Sequence, residues 1–143
     1  MLDTAVSSYR LLMNVFLIEE PDALRHRLLE DLAAIEGIDI GFCALDEDGP
    51  LWKIRVMKPD VAIIDLQLPG GALPLIRAIK STPHPPIVIA LSSCSSIHYR
   101  AASHHAGADF FFDKIRELDR LYEALAVLKI ELEAPDESWP TGA

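Results

Sequence analysis

Residues 62–71 read AIIDLQLPGG, and this stretch places the single carboxylate of Asp65 between an apolar run and a turn. The run is short and β-branched, which is typical of a strand buried on both faces, and Pro69, Gly70 and Gly71 then supply a turn signal. A charged side chain is costly to bury, so a carboxylate at the end of such a strand needs a partner or a role. The stretch therefore predicts a buried strand that presents Asp65 at its carboxyl end.

Similar apolar runs recur along the chain and alternate with amphipathic segments. We predict five strands, over residues 15–18, 38–42, 61–64, 87–91 and 108–112. We predict helices between Pro21 and Gly37, over residues 51–57, 73–80 and 97–106, and in a last segment with apolar residues from Ile115 to Leu128 on one face. Near-continuous apolar strands that alternate with helices imply a parallel sheet covered on both faces. The predicted fold class is α/β, a doubly wound (βα)5 sandwich.

The composition is that of one acidic globular domain. The chain has 143 residues, 50% hydrophobic and 24% charged, and a formal net charge of −9, which disfavours direct binding to nucleic acid phosphates. Cys43 and Cys94 are too few for a disulfide scaffold, and no signal peptide or membrane-spanning run is evident, so we expect a cytoplasmic chain with no membrane contact. We expect a short N-terminal extension over residues 1–13, the domain over 14–130 and a flexible acidic tail over 131–143.

Polar side chains follow four of the predicted strands. Glu19 and Glu20 follow the first strand, Asp65 the third and Ser92 the fourth, and Lys114 comes shortly after the fifth. Ligands of doubly wound sheets bind beyond the carboxyl ends of the strands, where the strand order reverses. We therefore expect these side chains to form one site.

The charges of this set indicate phosphoryl chemistry. Three neighbouring carboxylates repel one another unless a cation lies among them, and Mg²⁺ prefers oxygen ligands shared with a phosphate. Asp65 could then act as a nucleophile toward phosphorus. Lys114 would supply a compact positive charge and Ser92 a hydroxyl donor to the phosphoryl oxygens.

Four motifs, VFLIEE, PDVAIIDLQLPGG, IVIALSS and AGADFFFDK, follow one another in this order. On these motifs, residues 14–129 resemble the receiver domain of bacterial two-component response regulators, including single-domain regulators of the chemotaxis kind. The resemblance implies a flavodoxin-like fold with strand order 2-1-3-4-5. It also implies a signalling module, in which any catalysis is limited to the module's own phosphorylation and dephosphorylation.

The resemblance further implies a role for each residue of the predicted site. By this resemblance, Asp65 is the phosphoacceptor, Ser92 the switch hydroxyl, Lys114 the family's lysine and Phe111 the aromatic switch residue, and Mg²⁺ is bound by Glu19, Glu20, Asp65 and the backbone carbonyl of Gln67. The implied partners are a histidine kinase or phosphotransfer protein, a downstream target protein, and a second copy bound through the fourth helix, fifth strand and fifth helix. This chain has Glu at both positions of the acidic pair, where relatives usually carry at least one Asp.

Of three other functions, the sequence leaves the first open and argues against the other two. A receiver-like adaptor that has lost phosphorylation would explain the two glutamates. An aspartyl phosphatase would need an acid two residues after the nucleophile, where this chain has Gln67. A flavodoxin-like FMN carrier would need a phosphate-binding loop after the first strand, where the sequence EEPDA is acidic. For the histidines at 98, 104 and 105, a solvated helix face is favoured over a metal site.

Overall fold

The alternation of strands and helices that the sequence predicts is present in the computed structural model, which describes residues 12–19, 23–42, 49–68 and 71–133. The strands are β1 (Met13–Ile18), β2 (Ile38–Phe42), β3 (Val61–Asp65), β4 (Ile87–Ser92) and β5 (Phe110–Asp113). The helices are α1 (Ala23–Ala33), α2 (Pro50–Met57), α3 (Ala72–Lys80), α4 (Ile97–Ala106) and α5 (Leu118–Glu133). Of the predicted tail, residues 131–133 belong to α5, and residues 134–143 lie outside the described residues.

The strands form one parallel sheet in the order β2-β1-β3-β4-β5. The predicted doubly wound, flavodoxin-like architecture is therefore confirmed. The register aligns Ile18 with Ile64, so the residues that follow, Glu19 and Asp65, lie side by side at the carboxyl edge. On the other side of β3, Ser92 of β4 pairs with Asp113 of β5 at the same edge. Topology alone thus brings the predicted polar residues to one end of the sheet.

Two apolar cores cover the two faces of the sheet. Because side chains alternate along a strand, Val15 and Leu17 of β1 point to one core and Phe16 and Ile18 to the other. The first core includes buried leucines of α1 and α5, namely Leu28, Leu32, Leu121, Leu125 and Leu128. The second includes buried residues of α2, α3 and α4, namely Ile54, Ala72, Ile76, Ile79 and Ala106. Burial of each large aliphatic side chain contributes about 1.5–3 kcal/mol, so both cores hold the sheet rigid.

Two predicted boundaries near the last strand are wrong, and each error has a physical cause. The fifth strand was predicted from residue 108, but it begins at Phe110 because the Asp109 side chain accepts hydrogen bonds from Val88 N at 2.9 Å and Lys80 Nζ at 2.8 Å. Ile115 was predicted on the apolar face of the last helix, but it lies in the turn before α5 and is 71% exposed. Both differences arise from tertiary contacts and turn geometry that periodicity does not report.

Gly107, which ends α4, has a φ of +118°, a conformation that L side chains rarely adopt. A Cβ there would lie 3.0 Å from Lys80 Cγ. We expect Gly107→Ala to lower the free energy of unfolding by about 1–3 kcal/mol, from backbone strain and this contact together, as measured by urea unfolding. Gly49→Ala is the control because Gly49 also has a positive φ but no atom within 4 Å of the added Cβ. Equal losses in the two variants would mean that the Lys80 contact contributes nothing.

Candidate functional site

The Asp65 carboxylate is buried at the last residue of β3, with 4% of the residue exposed. Its Oδ1 accepts a hydrogen bond from the backbone N–H of Gln67 at 2.9 Å. Its Oδ2 accepts one from Lys114 Nζ at 2.7 Å. Each oxygen is therefore oriented by one strong donor and retains a further lone pair.

Lys114 lies between two carboxylates. Its Nζ is 2.7 Å from Asp65 Oδ2 and 4.0 Å from Oε1 of Glu19, which is also buried. The backbone N–H of Lys114 donates to Ser92 O at 3.0 Å, which fixes the lysine beside β4. Since only 11% of the Lys114 side chain is exposed, this ammonium compensates buried negative charge where water screens little. The structure thus brings Glu19, Asp65 and Lys114 together, whereas Glu20 lies outside the described residues.

The Ser92 hydroxyl is fully buried, and the Gln67 side chain binds it. Gln67 Nε2 donates to Ser92 Oγ at 2.8 Å, and the amide of Cys94 donates to the same oxygen at 3.0 Å. Gln67 Oε1 accepts from Ser93 N at 3.3 Å, so the Gln67 side chain links the loop after β3 to the loop after β4. In the predicted site, only the backbone carbonyl of Gln67 has a role. Its long side-chain amide, two residues past a strand-end acid, was the signal that could have indicated a bridge.

Arg100 of α4 packs on Phe111, the predicted aromatic switch residue. The guanidinium carbon lies 4.7 Å from the ring centroid of the half-buried Phe111, within cation–π range. Arg100 also donates to Glu117 Oε1 at 3.0 Å and to Ser95 O at 3.2 Å. These contacts join α4 to β5 and to the turn before α5. Arg100 is not predicted from the sequence, because no local pattern distinguishes it from a solvated helical arginine.

Two carboxylates shape the turn that carries Lys114. Asp113 Oδ1 accepts hydrogen bonds from the backbone N–H groups of Arg116 at 2.9 Å and Ile115 at 2.8 Å, and these bonds lower the pKa of Asp113. Glu117 Oε1 accepts from the backbone N–H of Asp113 at 2.8 Å, and this bond, with the Arg100 guanidinium, lowers the pKa of Glu117. The turn is therefore most stable when both groups are ionised.

These lowered pKa values predict an acid dependence of stability. Both carboxyl groups bind protons less readily in the folded chain, so their contribution is complete above their ordinary values of 3.8 and 4.5 and is lost as the pH falls through the lowered values. We expect Glu117→Gln to lower stability at pH 7 and to flatten the fall in stability below about pH 4.5, in urea unfolding followed from pH 7 to pH 3. Glu123→Gln, on an exposed position of α5, is the control. An unchanged acid profile in Glu117→Gln would contradict the prediction.

The donors at the carboxyl edge match the chemistry of Mg²⁺. Glu19 and Asp65 supply carboxylate oxygens, the ligands that Mg²⁺ prefers, and both approach the same Lys114 ammonium. Within the described ranges, no group of three or more His, Cys, Asp or Glu side chains is arranged to hold a metal ion. Three histidines of α4, His98, His104 and His105, are exposed. The two described carboxylates, Glu19 and Asp65, therefore fit the ligand preference of Mg²⁺.

Comparison with known families identifies the domain. The family model described as "Response regulator receiver domain" matches residues 15–126. This chain belongs to the response regulator receiver family. Receiver domains of this family are signalling modules of two-component systems, and this agrees with the resemblance seen in the sequence.

Relatives of this receiver domain carry it within longer chains. "Response regulator GacA" of Pseudomonas viridiflava is 28% identical over 119 residues, which cover 82% of this chain and 55% of the relative. "Protein-glutamate methylesterase/protein-glutamine glutaminase 5" of Myxococcus xanthus is 32% identical over 124 residues, 84% of this chain and 34% of the relative. The chain thus spans about half the length, or less, of these curated relatives. The receiver domain of Francisella response regulator 1452 has the same fold, with a TM-score of 0.73, 21% identity, and 83% of this chain and 98% of that chain covered.

No helix of the described ranges combines the length and the apolar character needed to cross a membrane.

Proposed function

We propose that this receiver domain accepts a phosphoryl group on Asp65 from a histidine kinase or phosphotransfer protein and signals to a protein partner by changing conformation. The observation that carries the proposal is the buried Asp65 carboxylate, held by Lys114 at the carboxyl edge of the sheet. A buried carboxylate–lysine pair contributes little net stability compared with apolar packing, so its presence in this core favours a chemical role.

The contacts at Asp65 support an attack on phosphorus. A carboxylate oxygen of Asp65 forms the new O–P bond, the P–N bond of a phosphohistidine donor breaks, and the leaving imidazole nitrogen takes a proton from solvent. Lys114 lies close enough to move from Asp65 Oδ2 to a phosphoryl oxygen and offset its charge. Glu19, Glu20, Asp65 and the backbone carbonyl of Gln67 would hold Mg²⁺, which when bound supplies further charge compensation for the phosphoryl group.

The Gln67–Ser92 hydrogen bond supports the proposed switch. A phosphoryl group on Asp65 offers strong acceptor oxygens to the Ser92 hydroxyl. Movement of Ser92 Oγ toward Asp65 would break its 2.8 Å hydrogen bond from Gln67 and shift the loop before α4. Because Arg100 of α4 packs on Phe111, a shift of α4 would change the packing of this aromatic ring.

The surface of α4 and β5 is where we propose that a target protein or a second copy binds. Ile97, Tyr99 and Phe110 are exposed there, at 75%, 44% and 37%. Tyr122 of α5 does not belong to this surface, because its hydroxyl donates a hydrogen bond to Asp31 of α1 at 2.8 Å. Burial and the Asp31 carboxylate raise the pKa of Tyr122.

Phosphorylation by a small donor tests the proposal. We would incubate the purified chain with acetyl phosphate, with and without Mg²⁺, and follow the intact mass. We expect one phosphoryl group, dependent on Mg²⁺, and its acyl phosphate can be reduced with borohydride and located at residue 65 by peptide mass spectrometry. Lack of modification at any Mg²⁺ concentration would favour the phosphorylation-independent adaptor, and modification at another residue would refute the role of Asp65.

A further inference from the structure

A cavity of about 310 Å³ opens at the amino edge of the sheet, opposite Asp65. It lies between the end of α2 and the loop that joins α3 to β4. Its lining comprises basic, hydroxyl and apolar side chains, namely Ile54, Arg55, Lys58, Pro59, Thr82, Pro83, His84 and Pro86. A volume of this size is at the lower end of the range, about 300–1,000 Å³, of small-molecule sites in proteins.

The lining is basic in a protein that is acidic overall. It contains Arg55, Lys58 and His84 and no acidic residue, although the chain has 22 acidic residues against 13 Lys and Arg. Among the residues that the structure describes, no ion pair joins Arg55 or Lys58 to a carboxylate, whereas Lys80 and Arg100 are both paired. The cavity thus concentrates positive charge that the described fold does not neutralise, and an anion would be attracted to it.

The backbone of the cavity is held in an uncommon conformation. In the described part of the chain, the positive-φ residues other than glycine are Lys58, at 50°, and His84, at 55°, and both line the cavity. A left-handed conformation is unfavourable for residues other than glycine, because it brings Cβ close to the following carbonyl oxygen. Lys58 has this conformation as the cap that ends α2. The two left-handed residues therefore fix the positions from which the Lys58 and His84 side chains line the cavity.

Hydrogen bonds hold the walls of the cavity in place. Lys58 N donates to Ile54 O at 2.8 Å and closes the end of α2. On the other wall, Thr82 Oγ1 donates to Ile79 O at 2.7 Å, and Lys80 Nζ donates to Pro86 O at 3.1 Å. The site is therefore formed before any ligand enters, which reduces the ordering cost of binding.

We propose that this cavity binds a small organic anion, with a phosphate or carboxylate head bound by Arg55 and Lys58 and an apolar body packed against Ile54, Pro59 and Pro86. The buried prolines and Ile54 offer a rigid apolar wall, and the two cations lie at its exposed rim. The five residues of β3 separate the cavity from Asp65 by about 15 Å, so the site does not depend on the proposed phosphorylation.

Titration with phenyl phosphate and benzoate, followed by amide chemical shifts in NMR, tests the proposal. We expect saturable shifts at Lys58, Thr82 and His84 for both anions, and at least tenfold weaker binding of neutral benzyl alcohol. Arg55→Gln should weaken anion binding about tenfold, as expected for loss of a charged contact. Arg77→Gln, which removes an exposed arginine of α3 outside the lining, should leave binding unchanged.

Two further variants make the result decisive. Lys58→Gly removes the ammonium in a residue that accepts the positive φ, so it should fold and bind the anions more weakly. Asp65→Asn should bind both anions as wild type does, because Asp65 lies at the opposite edge of the sheet from the cavity. Phenyl phosphate bound at the phosphoacceptor edge would instead shift amides near residue 65. Equal binding of the neutral analogue, equal losses in Arg55→Gln and Arg77→Gln, or shifts confined to the carboxyl edge would each overturn the proposal.

Discussion

Asp65→Asn is expected to abolish modification by acetyl phosphate, with the rate reduced by about 10³-fold or more, because an amide oxygen is a poor nucleophile toward phosphorus. The variant should remain folded, since Lys114 still has Glu19 within 4.0 Å and the asparagine has nearly the same volume. Intact mass spectrometry gives the rate, and urea unfolding confirms that the fold is retained.

The matched control for this change is Asp113→Asn. Asp113 is also a buried carboxylate at the end of a strand, with 5% exposure, but it binds the amides of its own turn. We expect Asp113→Asn to be less stable than wild type but still to be phosphorylated on Asp65. If Asp65→Asn were modified as fast as wild type, Asp65 would not be the acceptor.

Lys114→Met is expected to lower the free energy of unfolding by about 3 kcal/mol, the typical cost of removing one partner of a buried ion pair. The variant would leave the buried carboxylates of Glu19 and Asp65 facing each other without their cation. It should also slow phosphorylation, because the Lys114 ammonium would no longer offset the charge of the incoming phosphoryl group. Urea unfolding and the rate of mass change measure the two effects.

A double variant separates this electrostatic effect from lost packing. Lys114→Met combined with Asp65→Asn removes one of the two facing carboxylates, so it should be more stable than Lys114→Met alone. Arg120→Met breaks the exposed ion pair with Glu117, in which 72% of the arginine side chain is accessible, and should cost less than about 1 kcal/mol. Strict additivity of the two site substitutions would show that the Asp65–Lys114 contact has no stabilising effect.

Patterns within a short stretch of sequence predicted most of this fold. β-branched runs such as residues 61–64 predicted the strands, and the rules of parallel sheets placed their carboxyl ends together. The start of β5, by contrast, depends on the contact of Asp109 with Lys80, 29 residues away. The hydrogen bonding of the Ser92 hydroxyl likewise depends on Gln67, 25 residues away. Such contacts arise only after the elements pack, so periodicity and spacing do not report them.

Asp109, which precedes β5, and Asp113, which is its last residue, place a carboxylate at each end of an edge strand. β5 is an edge strand of four residues containing Phe110, Phe111 and Phe112, and an apolar, aromatic edge of this kind can pair with strands of other chains. Asp109 and Asp113 place a charge at each end, and their hydrogen bonds to Val88 and to the turn after β5 keep the strand short. Charged residues at the ends of an apolar strand oppose its pairing with strands of other chains, and Asp109 and Asp113 occupy these gatekeeper positions around the three consecutive phenylalanines of β5.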